Sequence, residues 1–318
     1  MLIIGPMITA QAASKRVRSF VNERRHHWRL RTASKEYWNQ LCAALDVIDD
    51  AANAIHAYRC SRRDVDVGER YLLTYGLLEA LYVQQNAVQH LCEALDHCWK
   101  WKSEAVLMNI RDIRNSASGH PTRKGMQGQP PTFHGIVQTS MAHSGFELYS
   151  WDSKGNLTAR HVVLTDLIEQ QDEPLARALT GLADMLEKDD REHRRQFRDR
   201  RLALVFQPKG IEYIWQKLDE TGEDRVIPGG STEHLLNVLG QFKSALEERG
   251  LTLETYAGVK FHFAEAEYVL SQLLLYHRRK PNDVANEIAV RAYAAYAREQ
   301  YCKLEELAQA IDNEYQED

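Results

Sequence analysis

The chain has 318 residues, 44% of them hydrophobic and 27% charged, a composition that excludes a disordered or collagen-like protein and allows one large or two medium globular domains. The formal net charge of −5 excludes polyanion binding by bulk charge, so any nucleic-acid contact must come from a local patch. Five cysteines, at 42, 60, 92, 98 and 302, form no Cys-x-x-Cys pair, which argues for a reduced, cytoplasmic setting and against a disulfide framework or a structural zinc site.

Residues 1–33 read as a basic N-terminal arm. The apolar start precedes its basic residues, the reverse of a secretory signal. Lys15, Arg16, Arg18, Arg24, Arg25, Arg29 and Arg31 crowd this segment, with Trp28 among them. It is either a solvated helix or tail, or an RNA-tracking arm in which Arg24 and Arg25 meet phosphates and Trp28 stacks on a base. Ser34 is a candidate N-cap for a helix over 35–60, with Tyr37, Leu41, Ala44, Leu45, Ile48, Ala52 and Ile55 at helical spacing. A second helix is predicted over 67–97. Leu77, Leu81, Val88, Leu91 and Leu95 form one apolar seam, interrupted by Gln84, and Tyr71, Tyr75, Leu78 and Tyr82 form another. A helix apolar on two sides needs two neighbours, of which one could be a second protomer.

Ser103 is expected to cap a helix over 103–117, with Val106, Ile110, Ile113 and Ala117 on its buried stripe and Arg114 beside it. Gly119 and Pro121 stop this helix. Met126–Pro131 reads as a loop. Phe133–Thr139, Gly145–Trp151 and Leu157–Leu164 read as three strands, with Ser153–Asn156 a turn. From Thr165 the chain is helical again. One long helix is predicted over 173–201, its basic end interleaved with acids as a salt-bridged face. Thr221–Ser231 reads as a loop. Helices over 232–249, 256–279 and 282–314 complete the chain, with Lys280-Pro281 between the last two. No run of residues approaches a membrane span.

The chemistry concentrates at Ile110–Lys124. Arg114 offers a planar fork of donors suited to a phosphate, and His120 a proton carrier. Six positions on a continuous helix would separate them by about 9 Å along its axis, so the turn at Gly119 must bring His120 back over the helix end. The alternative is a helix C-terminus in which Arg114 pairs with a carboxylate and His120 faces the last carbonyls. His262 and Glu265, three apart on a predicted helix, read as a surface pair and not as half of a metal site. No metal site and no cofactor are expected, since the common phosphate-loop, dinucleotide, zinc-protease and serine-hydrolase motifs are absent.

With five residues between Arg114 and His120 and Asn115 in the polar slot, the stretch resembles the signature of HEPN proteins. The resemblance covers roughly residues 34–125. It implies an α-helical bundle, a homodimer that brings two motifs together, and metal-independent RNA cleavage with Arg114, Asn115 and His120 at the reacting phosphate. Some members are toxins or defence components with an antitoxin partner, and others lack activity. Members modified by such a partner often carry Tyr two residues after the His, where this chain has Thr122. Arg111, Arg123 and Lys124 are further candidate RNA contacts. The expected organisation is a mainly α protein: arm 1–33, helical bundle 34–125, loop and small sheet 126–168, and helical domain 169–318. The alternatives to an endoribonuclease are a silent RNA- or nucleotide-binding module and a helical protein-interaction module.

Overall fold

The computed structural model describes residues 9–23, 30, 35–62, 64–124, 130–218, 220 and 225–316. Nine α-helices and one three-stranded sheet lie among them, so the chain is mainly α. It divides into two compact units, residues 1–25 with 33–187 and residues 26–32 with 188–318.

Unit 1 opens with α1 (Ala10–Glu23), α2 (Lys35–Cys60), α3 (Val67–Ala94) and α4 (Ala105–Arg114). The expected arm is therefore helical over 10–23 and packed. Ala10, Ala13, Val17, Phe20 and Val21 recur at helical spacing and are buried. Its charges serve the fold: Arg16 forks onto Glu187, with both nitrogen–oxygen distances 2.6 Å, and Arg18 meets Asp46 and Asp49 at 3.1 and 2.9 Å. Arg24, Arg25, Trp28 and the proposed cap Ser34 lie outside the described residues.

α2 and α3 pack along each other through the predicted seams; Leu41, Leu45, Ile48, Leu77, Leu81, Val88 and Leu91 are all buried. Asp66 caps α3 by accepting from the Glu69 amide at 2.9 Å. Gln84 is buried too and finds an amide partner, as a buried polar group must. Gln171 donates to Gln84 Oε1 at 2.9 Å and to the Leu81 carbonyl at 3.2 Å, and Gln85 donates to Gln171 Oε1 at 2.7 Å.

β1 (Thr132–Ile136), β2 (Gly145–Asp152) and β3 (Leu157–Val163) form an antiparallel meander in that order. Side chains alternate between its faces. Phe146, Leu148 and Val162 are buried on one face, while Tyr149 and Trp151 point away from it and are exposed. The turn after β2 is held by the Asp152 carboxylate, which accepts from the amides of Lys154 and Asn156 at 2.8 and 2.9 Å, while Gly155 takes φ +83°.

α5 (Leu164–Phe197) starts directly after β3 and runs through Pro174, not from Glu173 as expected. An internal proline forfeits one helical hydrogen bond. The buried stripe Leu164, Leu167, Ile168, Leu175, Leu179, Leu182 and Leu186 outweighs that loss. Residues up to Glu187 belong to unit 1.

Unit 2 holds the rest of α5, α6 (Ile211–Leu218), α7 (Val226–Glu248), α8 (Ala257–His277) and α9 (Glu287–Glu314). The expected loop 221–231 ends early, because α7 begins at Val226. Pro228 sits in the first turn of α7, where its missing N–H is not needed. The core gathers Phe206, Phe242, Trp215 and Tyr301, with ring centroids 4.8–5.2 Å apart. Asp312, buried, accepts from the amides of Leu202 and Ala203 at 2.8 and 2.9 Å. Among the described residues no helix is long and apolar enough to cross a membrane.

Candidate functional site

α4 is shorter than its sequence suggested. Ser103 lies in a 3-10 turn and donates to the Lys100 carbonyl at 2.6 Å, so it caps no α-helix. After Arg114 the helix widens into one π-type turn, Asn115–Gly119, closed by the His120 amide donating to the Asn115 carbonyl at 2.7 Å. The wider turn ties the backbone of His120 to Asn115 at the end of α4. Such π turns recur at functional sites. His120 is exposed, and its ring makes no hydrogen bond among the described residues.

Gly119 matters here for its bulk. Its φ is not in the left-handed region, so helix termination by that conformation does not explain it. A Cβ on Gly119 would lie 2.7 Å from Arg114 Nη1 and 3.3 Å from Asn115 Oδ1. The bare backbone lets the guanidinium lie flat against the turn.

Arg114 is held on three sides. Its Nε and Nη2 donate to Glu79 Oε2 at 2.9 and 2.6 Å, and its Nη1 donates to Asn115 Oδ1 at 3.0 Å. Its guanidinium carbon lies 4.3 Å from the centroid of the Tyr82 ring. The Arg114 side chain keeps 19% of its surface exposed and Glu79 keeps 48%, so the pair opens to solvent on the carboxylate side. Asn115 thus orients the arginine.

Arg111 is not a surface contact for RNA. It is buried, and its guanidinium carbon lies 4.1 Å from the Tyr82 centroid and 3.7 Å from that of Trp101. Its Nη1 donates to Asn86 at 2.9 Å and to Gln85 at 3.3 Å, joining the buried glutamines. Burial holds its pKa below the usual value, and the nearby charge of Arg114 acts in the same direction. Trp101, Arg111, Tyr82 and Arg114 are therefore an alternating aromatic and cationic stack beneath the site.

Lys124 half-turns inward. It pairs with Asp112 and donates to Ser116 Oγ at 2.9 Å, so it pins the π turn to α4. Arg123 is exposed. The strand side is closed by His134, whose amide donates to the Pro121 carbonyl at 2.7 Å. Its ring is engaged at both nitrogens, with Ser150 at 2.7 Å and Thr132 at 3.1 Å, and burial lowers its pKa. At the end of α4, Arg114 pairs with Glu79 and Lys124 with Asp112, while Arg123 stands exposed.

The structure brings Arg114, Asn115 and the backbone of His120 together. It gives Lys124 a structural bond and Arg111 a buried one. Glu79, Tyr82 and Trp101 were not singled out; Tyr82 was legible as part of an apolar stripe, but nothing in its spacing announced two cationic partners. Elsewhere, His262 bonds Gln300 at 2.6 Å and Glu265 accepts from Tyr296 at 2.9 Å. No cluster of three or more histidine, cysteine, aspartate or glutamate side chains suited to a metal ion occurs among the described residues. No family model, curated protein or solved structure matches the chain.

Proposed function

We propose that unit 1 is a HEPN-like bundle and that the chain is a metal-independent endoribonuclease. The observation that supports this reading is the π turn that ties the backbone of His120 to Asn115, whose side chain in turn holds the Arg114 guanidinium. In the proposed reaction a ribose 2′-OH attacks its own 3′-phosphorus and the 5′-oxygen leaves. One group takes the 2′ proton and another supplies a proton to the leaving oxygen. His120 fills one of these roles. A second copy of the motif, from a homodimer, would fill the other. Arg114, fixed by Asn115 and stacked on Tyr82, stabilises charge on the phosphoryl oxygens without having to be ordered during the reaction. A toxin or defence role, with a partner protein acting as antitoxin, is the biological setting this activity suggests.

A second reading has a specific observation in its favour. Glu79 already neutralises Arg114, so a phosphate must compete with a carboxylate. A helical protein-interaction module, which needs no phosphate at Arg114, would tolerate that arrangement, and a silent RNA-binding module would keep the fold without the cutting. Cleavage of matched RNA and DNA oligonucleotides in EDTA separates these readings. The nuclease cuts RNA only, since DNA lacks the 2′-OH, and Arg114→Ala abolishes cutting. RNA binding by a folded wild-type protein with no cutting would leave the silent module.

A further inference from the structure

The outer face of the sheet carries a row of aromatic side chains that the proposed reaction does not use. Phe133 stands opposite Trp151, and Trp151 opposite Leu157; in the next row Gly135 stands opposite Tyr149. The rings of Phe133 and Trp151 are stacked, with centroids 6.1 Å apart and planes 23° apart. Trp151 extends over Gly135, its ring carbons 3.8 Å from where a Cβ would be. Tyr149 and Trp151 stay 38% and 39% exposed and Leu157 63%, on a face where water should disfavour them.

The row begins beside the candidate site. Lys124 and Thr132 exchange both backbone hydrogen bonds, at 2.8 and 2.7 Å, and the next bond joins His134 to Pro121. Thr122 and Arg123 therefore both fall opposite Phe133, as in a β-bulge. Lys124 is committed inward to Asp112, so strand alternation turns Arg123 to the outer face. A cation, then Phe133, then Trp151 and Tyr149, lead away from His120. Lys154, exposed in the turn after β2, lies beyond Trp151. The acidic group on this face, Glu147, is in another row and is paired with His161 at 2.8 Å.

We infer that this face is a single-stranded RNA platform: bases of the strand leaving the candidate site stack on Phe133, Trp151 and Tyr149, and Arg123 takes a phosphate between site and platform. The chemistry fits one occupant. Every base has a flat π-face, so an aromatic row flanked by cations holds a strand without reading its sequence. The inference rests on the endoribonuclease reading for its direction from His120, but its own binding step needs no cleavage.

The test uses an unreactive 2′-O-methyl RNA 12-mer and a cleavable dinucleotide, which has one nucleotide on each side of the scissile bond. Wild type, Trp151→Ala with Tyr149→Ala, and the control Tyr213→Ala, an exposed aromatic in unit 2, are compared. The double variant should bind the 12-mer about tenfold or more weakly while the control binds normally. Cleavage of the dinucleotide should be unchanged in both. Equal 12-mer binding by wild type and the double variant overturns the platform and leaves the nuclease reading standing. Weakened binding in a protein that cuts nothing keeps the platform and removes the nuclease. No 12-mer binding by folded wild type overturns the platform, as does a double variant that only loses self-association, measured by sedimentation.

Discussion

Among single residues, Gly119 sets how closely the Arg114 guanidinium approaches the turn. A methyl group there would meet the flexible end of Arg114, so the fold should survive while the guanidinium moves. A misplacement of about 1 Å at a catalytic group can cost about 100-fold in rate. Gly119→Ala should therefore lose about 100-fold in cleavage with a nearly unchanged melting temperature. Full activity in Gly119→Ala would mean that Arg114 is not held for catalysis. The residue types at this site were legible in the sequence, and so was the need for a turn that returns residue 120. The carboxylate partner of Arg114 was foreseen as an alternative, but not as Glu79, since 35 positions separate the two and no local pattern joins them. Arg111 was misread because an arginine next to a basic cluster looks like surface. Two aromatic rings and two side-chain amides make its burial tolerable.

At the scale of elements, the buried glutamines tie α5 to α3 and, through Arg111, to α4. Gln171→Leu would leave Gln84 Oε1 and the Gln85 amide without this partner and take the second donor from the Leu81 carbonyl, which keeps its helix bond. Unpaired buried groups of this kind cost about 1–3 kcal/mol each, offset in part by relaxation. Denaturant unfolding followed in unit 1 should show a loss of about 2–4 kcal/mol. A loss below about 0.5 kcal/mol would show that the amides repartner and that the network is not a structural link. Helical spacing marked α2 and α3 well because their apolar seams are long. It undervalued α1, whose buried stripe is interleaved with arginines. Two helices begin earlier than expected and take in a proline: Pro174 sits inside α5, and Pro228 in the first turn of α7. In α5 a buried apolar stripe on both sides of Pro174 carries the helix through it, whereas in α7 Pro228 falls where its missing N–H costs nothing.

At the scale of the whole molecule, several histidines are half-buried or buried and held below their usual pKa. They are His97 and His134 in unit 1 and His193 and His277 in unit 2, and burial is the leading cause for each. For a lowered histidine the unfolded chain takes up the proton first. Stability is then fully present above the ordinary value near 6.5 and is lost as pH falls toward the folded pKa. His277 gives the clearest case. Among the described residues neither of its ring nitrogens has a hydrogen-bond partner, and the charge of Arg225 also opposes protonation, although the Leu218 backbone favours it. The melting temperature should fall between pH 7 and 5, and less steeply in His277→Phe. Identical slopes would mean that His277 takes no part. None of this was readable from the sequence, because burial of a lone histidine depends on what packs around it. The mainly α class was readable, because periodicity over long helices is a strong signal. The division at Glu187, inside one helix, has no mark in composition.

The most direct test of the central claim is the chemistry of the RNA ends. Purified protein and its His120→Ala variant would be incubated with a mixed-sequence RNA in EDTA, and the product termini identified by mass spectrometry. The wild type should yield 2′,3′-cyclic phosphate and 5′-hydroxyl ends, and the variant should leave the RNA intact. Intact RNA with a folded wild-type protein, or equal cutting by the variant, would contradict the claim.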